Sequence, residues 1–277
     1  MTYVISKEQY VSEWVVAFQR GETILKSRVT KQVMSDGKAA YFPIQGAAGR
    51  MTRRGSDGRI PSRQRTDSLV KVDLEEKHSK EERTGFDIFT CPAPLRTAMQ
   101  NAGAETAARE VDYTIIETLQ TATNEYNAAA VTLTYGTTTT FMAKLFQNDV
   151  MTGNEITCLW TPMAWAKLMT FDQFINADYV DMKMLNGIAI DKPKFWNGAL
   201  HMQHTGLPGV GTNKATNLIF AKPAIGHSIA EGDVKVAAGY NDEDDYSYSR
   251  HTIFDGAVIL QQAGVMKLYT DDTAAIA

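Results

Sequence analysis

The sequence predicts an α+β fold, and three observations carry that prediction. Val70, Val72 and Leu74 alternate with Lys71, Asp73 and Glu75, the two-residue period of a half-buried strand. Val111, Ile115, Leu119, Ala122 and Tyr126 fall three or four apart beside a run of alanines, which is the period of a long helix. The last third of the chain breaks into short β-prone runs. At 277 residues, 44% hydrophobic and 22% charged, the chain suits one large domain or two intimately joined ones.

From the N-terminus, Ser6 and Gln9 form a capping-box pattern, Tyr10, Trp14 and Phe18 recur every fourth residue, and Gly21 is a natural stop. This predicts a short amphipathic helix of about four turns. Its aromatic stripe is covered either by the subunit's own core or by a neighbour. Next come two strand-like stretches, Lys38–Ile44 and Ser68–Glu76, enclosing GAAGRMTRRGSDGRIPSRQRT between Gly46 and Thr66. They read as a two-stranded ribbon with a flexible basic tip that carries Arg50, Arg53, Arg54, Arg59, Arg63 and Arg65. An isolated ribbon is barely stable in water, so a chain that carries one expects a neighbouring subunit. The charged stretch Glu75–Gly85 reads as a solvated strand end or a subunit rim.

A helix is then predicted from Pro94 to about Tyr126, some 32 residues and roughly 48 Å if continuous, with Gly103 as a break or the true start. Thr132–Thr140 reads as strand and turn before a short helix near 141–148, and Ile156–Trp160 as a strand. Thr161 and Pro162 are an N-cap and N1 pair opening a helix to about Phe174. Asn186–Ile190 resumes strand, and Gly206–Asn213 reads as a mobile loop. The closing strands are Leu218–Lys222, Val234–Ala238, Tyr246–Ile253, Ala257–Leu260 and Val265–Tyr269, with Asp271–Ala277 frayed.

Charge is uneven. Net charge is −4, which argues against wrapping nucleic acid in bulk. Yet Gly37–Thr66 holds seven basic side chains against Asp57 alone, while Ala104–Tyr126 holds five acids against Arg109 alone. A positive tip and a negative helix are suited to meet, within one chain or between chains. The tip reads as a solvated loop, a contact with an acidic neighbour or a phosphate-binding element. Arginine's aptness for interfacial ion pairs favours the second.

Catalytic and metal motifs are missing. In GLPGVGTNK, Thr212 follows Gly211 where a phosphate loop needs lysine. His201 and His204 lack a third ligand at fixed spacing, and Asp242–Asp245 lacks the calcium-loop pattern. Two distant cysteines, Cys91 and Cys158, support neither a zinc site nor a redox motif. No apolar leader or membrane-length run is present, so a soluble protein made in a cytoplasm is expected. There is no GxSxG.

The order of parts carries a resemblance. GKAAYFPIQG resembles the outgoing strand of an extended loop, and CPAPLRTAMQNAGAETAAREVDYTIIETLQ a spine helix with its approach. EITCLWTPMAWAKLMTF is similar to the strand–proline–helix of an axial domain, and DYSYSRHTIFDGAVILQQAGVMKLYT to closing strands. Nearly the whole chain thus resembles the major capsid proteins of tailed bacteriophages, those of the Hong Kong ninety-seven capsid fold, especially of short-tailed phages. The resemblance implies an N-terminal arm over 1–36 and an extended loop over 37–86. It implies a peripheral domain with the spine helix over 87–132 and 225–255, and an axial domain over 133–224 and 256–277. It also implies a virion shell of hexamers and pentamers closing icosahedrally around double-stranded DNA, assembled in the host cytoplasm.

Scaffolding and portal proteins are the implied partners, with a decoration protein left open and no cofactor, metal or membrane. Gly206, Pro208, Gly209 and Gly211 would face a capsomer axis. The tip arginines would meet spine-helix acids of a neighbour, with Glu105, Glu110, Asp112 and Glu117 as candidates. No lysine lies between Lys38 and Lys71, so loop crosslinking is not expected. A nanocompartment shell protein and a cytoplasmic α/β enzyme are the rival readings.

Overall fold

The computed structural model of the chain describes residues 23–46, 49–54, 56, 58–60, 62, 65–90, 95–150, 153, 155–175 and 193–274. The expected N-terminal helix, the strand Asn186–Ile190, Cys91, Arg63 and the last three residues lie outside them. The elements in chain order are β1 (Thr30–Met34), β2 (Ala39–Ile44), β3 (Ser68–Asp73), β4 (Glu75–Thr84), α1 (Gly85–Thr90), α2 (Leu95–Gln120), α3 (Tyr135–Phe146), β5 (Ile156–Trp160), α4 (Pro162–Leu168), α5 (Asp172–Ile175), β6 (Lys194–Trp196), β7 (Ala199–Gln203), β8 (Ala215–Ala221), β9 (Ile225–Asn241), β10 (Tyr246–Ile259) and β11 (Val265–Thr270). The α+β class holds. A four-stranded sheet runs β1-β9-β10-β4, a five-stranded sheet runs β11-β8-β5-β7-β6, and β2-β3 form the ribbon.

The long helix is shorter than its sequence forecast and runs unbroken through Gly103. It has 26 residues and ends at Gln120, about 39 Å in all. It stops there because the chain is claimed by β11: Lys267 Nζ donates to the Gln120 carbonyl at 3.2 Å, and Tyr126 N–H to the Lys267 carbonyl at 2.8 Å. Gly103 is no break. A Cβ there would lie 2.1 Å from Nδ1 of His251, so the missing side chain lets α2 lie directly on β10. Met99, Ala107, Val111, Ile115 and Leu119 form the buried stripe.

Other boundaries shift for local reasons. The threonine run 137–140 lies inside α3 rather than in a strand, because Thr134 and Thr137 close a capping box that starts the helix at Tyr135. Thr161 caps α4 as expected, but α4 ends at Leu168. The separate turn α5 then delivers Phe174 edge-on to Trp165 and Trp196 at 5.4 Å. The two runs Tyr246–Ile253 and Ala257–Leu260 merge into one strand, β10, which pairs with the still longer β9 around an acidic turn at 242–245. The register breaks once, with Ile253 opposite Val234 but Asp255 opposite Ile229. The charged stretch Glu75–Thr84 is the edge strand β4, paired along its length with β10.

One apolar core joins the five-stranded sheet, α2, α3 and the roots of β9 and β10, with Trp160, Trp165, Phe141, Phe174 and Phe220 fully buried. A second small cluster, Ala40, Phe42 and Val72, seats the base of the ribbon. No Cβ could be added at Gly256 without meeting the Asp73 carbonyl at 2.4 Å, so the ribbon root rests tightly on β10. No described helix is long and apolar enough to cross a membrane.

Candidate assembly surfaces

The side chains with catalytic or ligating potential serve the core. Among the described residues no three His, Cys, Asp or Glu side chains group as a metal site would. Cys158 is fully buried, and that burial pushes its thiol well above the usual range, away from nucleophilic use. His201 accepts from Trp160 Nε1 at 3.0 Å, with the two ring planes within 6° of each other, and its Nε2 lies 3.1 Å from the Trp196 carbonyl. Burial lowers its pKa to about 4, opposed by the carbonyl contact, so it is neutral near pH 7.

The basic tip stands clear of the core. Its neck is narrow at Gly46, where a Cβ would meet the Thr66 carbonyl oxygen at 2.3 Å. Beyond that neck Arg50, Arg53, Arg54, Arg59 and Arg65 are all exposed. So are Met51 and Ile60, at 102% and 73% exposure, two apolar side chains among the cations. On the ribbon itself Tyr41 and Leu69 face outward at 54% and 70%. Tyr41 opposes Lys71 and Pro43 opposes Leu69, so these side chains share the outer face while Phe42 and Val72 take the inner one.

The four acids of α2 divide. Glu117 is exposed, Glu105 is half-buried, and Glu110 pairs with Lys77 of β4 at 3.0 Å. Asp112 is fully buried and committed within the subunit, which removes it as a surface partner for arginine. Its carboxylate accepts from Thr23 Oγ1 at 2.7 Å and from the backbone N–H of Ile24 and Leu25 at 3.1 Å each. His204 Nε2 lies 3.5 Å away, while His204 Nδ1 accepts the Gly206 N–H at 3.0 Å. That second bond puts the imidazole proton on Nε2, aimed at Asp112. Burial alone would raise the carboxyl pKa, but these donors outweigh it and hold Asp112 below its ordinary value. Asp112 thereby ties three things together: the spine of the molecule, the start of the described chain at Thr23, and the loop after β7.

That loop holds Gly206, Pro208, Gly209 and Gly211, and hydrogen bonds tie it to β8 and to the end of the described chain. Thr216 N–H donates to the Pro208 carbonyl at 2.9 Å. Asp272 accepts from Gly211 N–H at 3.3 Å and donates its own N–H to the Thr212 carbonyl at 3.0 Å. The same Asp272 accepts from Thr161 Oγ1 at 3.0 Å and is 4% exposed, so the chain end expected to fray is built in as far as this residue. Gly209 and Gly211 take φ of +71° and +76°, which suits glycine.

Sequence reasoning missed the apolar members of these surfaces. Phe86 and Phe89 on α1 are 71% and 88% exposed. Their i,i+3 spacing in GFDIFT, directly after a charged edge strand, was the available signal. Exposed large apolar groups spread over tip, ribbon and α1 are what a subunit that becomes covered by neighbours would show.

A family model described as phage capsid protein matches residues 3–271. The capsid structure of the cyanophage P-SCSP1u is similar at a TM-score of 0.74 and 16% identity, covering 96% of this chain and 93% of its own. The capsid of Ralstonia phage GP4 is similar at 0.70 and 11% identity, covering 99% and 100%. The virus-like particle from Pyrococcus furiosus is similar at 0.58 and 11% identity, covering 90% and 92%. No curated protein sequence matches the chain.

Proposed function

The chain belongs to the phage capsid protein family and is a structural subunit of a phage's icosahedral shell, and on that premise we propose how its surfaces build the shell. The β2–β3 ribbon with its tip is the extended loop, reaching across a neighbouring subunit, while β4 stays in the subunit's own four-stranded sheet. Its tip arginines rest on the acids of that neighbour's α2, with Glu117, Glu105 and Glu110 as counterparts and Met51 and Ile60 supplying apolar contact. The four-stranded sheet with α2 forms the peripheral part, and the five-stranded sheet with the loop 206–211 lies towards the capsomer axis. Hexamers and pentamers of one chain close around double-stranded DNA, with a separate scaffolding protein and a portal as assembly partners. The protein has no catalytic role.

The carrying observation is the tip itself. Five described arginines stand exposed on a two-stranded ribbon beyond a narrow neck, on a chain that is otherwise acidic. Individual contacts of this kind are weak, but many identical ones make a closed shell cooperative. The acidic average keeps an inner wall from adhering to packaged DNA. Arg53→Glu with Arg54→Glu is expected to leave the subunit folded, with an unchanged unfolding midpoint, and to cut the yield of closed particles at least tenfold. An unchanged particle yield would rule out the tip-to-α2 contact. A nanocompartment shell is the second reading, prompted by the likeness to the Pyrococcus particle; closed particles formed without scaffold and holding protein cargo would favour it.

A further inference from the structure

The two edges of the four-stranded sheet are built differently. The β4 edge carries Glu75, Glu76, Lys77, Lys80, Glu81, Glu82 and Arg83, a density of charge that keeps an edge strand from pairing with another chain. The β9 edge is split. Its first part pairs with β1, from Gly226 opposite Thr30 to Ala230 opposite Met34. The register break follows, with Gly232 at φ +87°, and beyond it nothing among the described residues pairs with the outer side of Val234–Asn241. That stretch reads Val-Lys-Val-Ala-Ala-Gly-Tyr-Asn, uncharged from Val236 to Asn241. Val236 and Tyr240 are 57% and 50% exposed.

Side-chain direction makes the edge self-complementary. Val236 opposes His251 and Tyr240 opposes Ser247 on β10, so both lie on the face that carries α2. There Tyr240, with Ala238, Met99 and Gln100, borders a groove of about 310 Å³. Antiparallel pairing of this edge with a second copy, centred on Ala238, sets Val236 opposite Tyr240 of the copy, and the reverse. This is a favourable β-branched–aromatic pair made twice. Lys235 falls diagonally across from Glu243 in the copy's acidic turn 242–245, so charge is matched at both ends of the overlap. A two-fold contact requires such self-complementarity, and few edges have it.

We propose that residues 235–241 of β9 pair antiparallel with the same residues of a second copy, joining two four-stranded sheets into one across a two-fold axis. The inference rests on the shell reading, because it is in a shell that copies are held edge to edge. The register is specific. Ala238 meets itself, whereas Ala237 meets Gly239. Directly opposed residues of an antiparallel pair sit about 4.5–5.5 Å apart at Cα, within disulfide reach.

The test uses particles assembled with scaffold from the full chain carrying Cys91→Ser, with and without Ala238→Cys, and with Ala237→Cys as the register control. On mild oxidation, Ala238→Cys is expected to give disulfide-linked dimers in particles, and Ala237→Cys at most a tenth as many. In the unaltered chain, amide exchange over 235–241 is expected to slow at least tenfold between free subunits and particles. Particles that close without the 238–238 link overturn this proposal alone, as does exchange that stays fast. Protection without the link means that a different strand covers the edge, and it overturns the two-fold register. Failure of the unaltered chain to form any closed particle overturns the shell reading, and this proposal with it.

Discussion

Replacing Asp112 by alanine is expected to destabilise the folded subunit by about 3–5 kcal/mol, the cost of removing one member of a buried charged or hydrogen-bonded group. The carboxylate accepts from Thr23, Ile24 and Leu25 and faces the Nε2 proton of His204, and both Asp112 and His204 are buried. Alanine leaves two backbone N–H groups, a hydroxyl and an imidazole without that acceptor. Asp112→Asn keeps the shape and one acceptor oxygen and should cost less. Because the Asp112 pKa is depressed in the fold, its stabilisation is fully present above its ordinary value of 3.8 and is lost as pH falls through the lower native value. The gap between parent and Asp112→Asn, measured by urea unfolding, should therefore be constant near pH 7 and narrow below about pH 4. A loss under about 1 kcal/mol for Asp112→Ala would show that these contacts are not holding the chain's entry against α2. Proteolysis near Thr23 should accelerate in step with the loss of stability.

Gly103→Ala should also destabilise, against the ordinary rule for helices. In an exposed helix interior this change adds about 1 kcal/mol of stability. Here the new methyl would lie 2.1 Å from Nδ1 and 2.2 Å from Cε1 of the buried His251, so α2 must lift from β10 or the ring must move. Overpacking of this kind costs about 1–3 kcal/mol. His251→Ala in the same chain should recover most of the loss, which a thermal-melt double-mutant cycle measures directly. A stabilised Gly103→Ala would mean that α2 does not rest on β10 at this point.

How far these features could be read in the sequence depended on the range of the interactions involved. Val70 and Val72 announced a strand because alternation is a local signal, and Thr161-Pro162 announced a helix start because a cap is made within four residues. The end of α2 was not readable, since Lys267, almost 150 positions away, captures the chain after Gln120. Gly103 looked like a break because glycine is a poor helix former. Its actual reason, an imidazole from β10, is a tertiary contact with no local trace. The same distinction sorts the candidate site. The tip arginines stood out as a cluster against an acidic chain, and the five described ones are exposed. Asp112 looked equivalent to Glu110 and Glu117 until His204 and Thr23 were brought to it by folding. The difference between the edges of β4 and β9 could not be read at all without the strand order.

The most direct test is a density map of the particle formed when the chain is co-expressed with candidate scaffolding protein. A closed icosahedral shell, with the 46–66 tip of each subunit lying on α2 of a neighbour near Glu105, Glu110 and Glu117, is the predicted result. Compact dimers or tetramers under every condition, with that tip folded back and protected from protease within its own subunit, would contradict it.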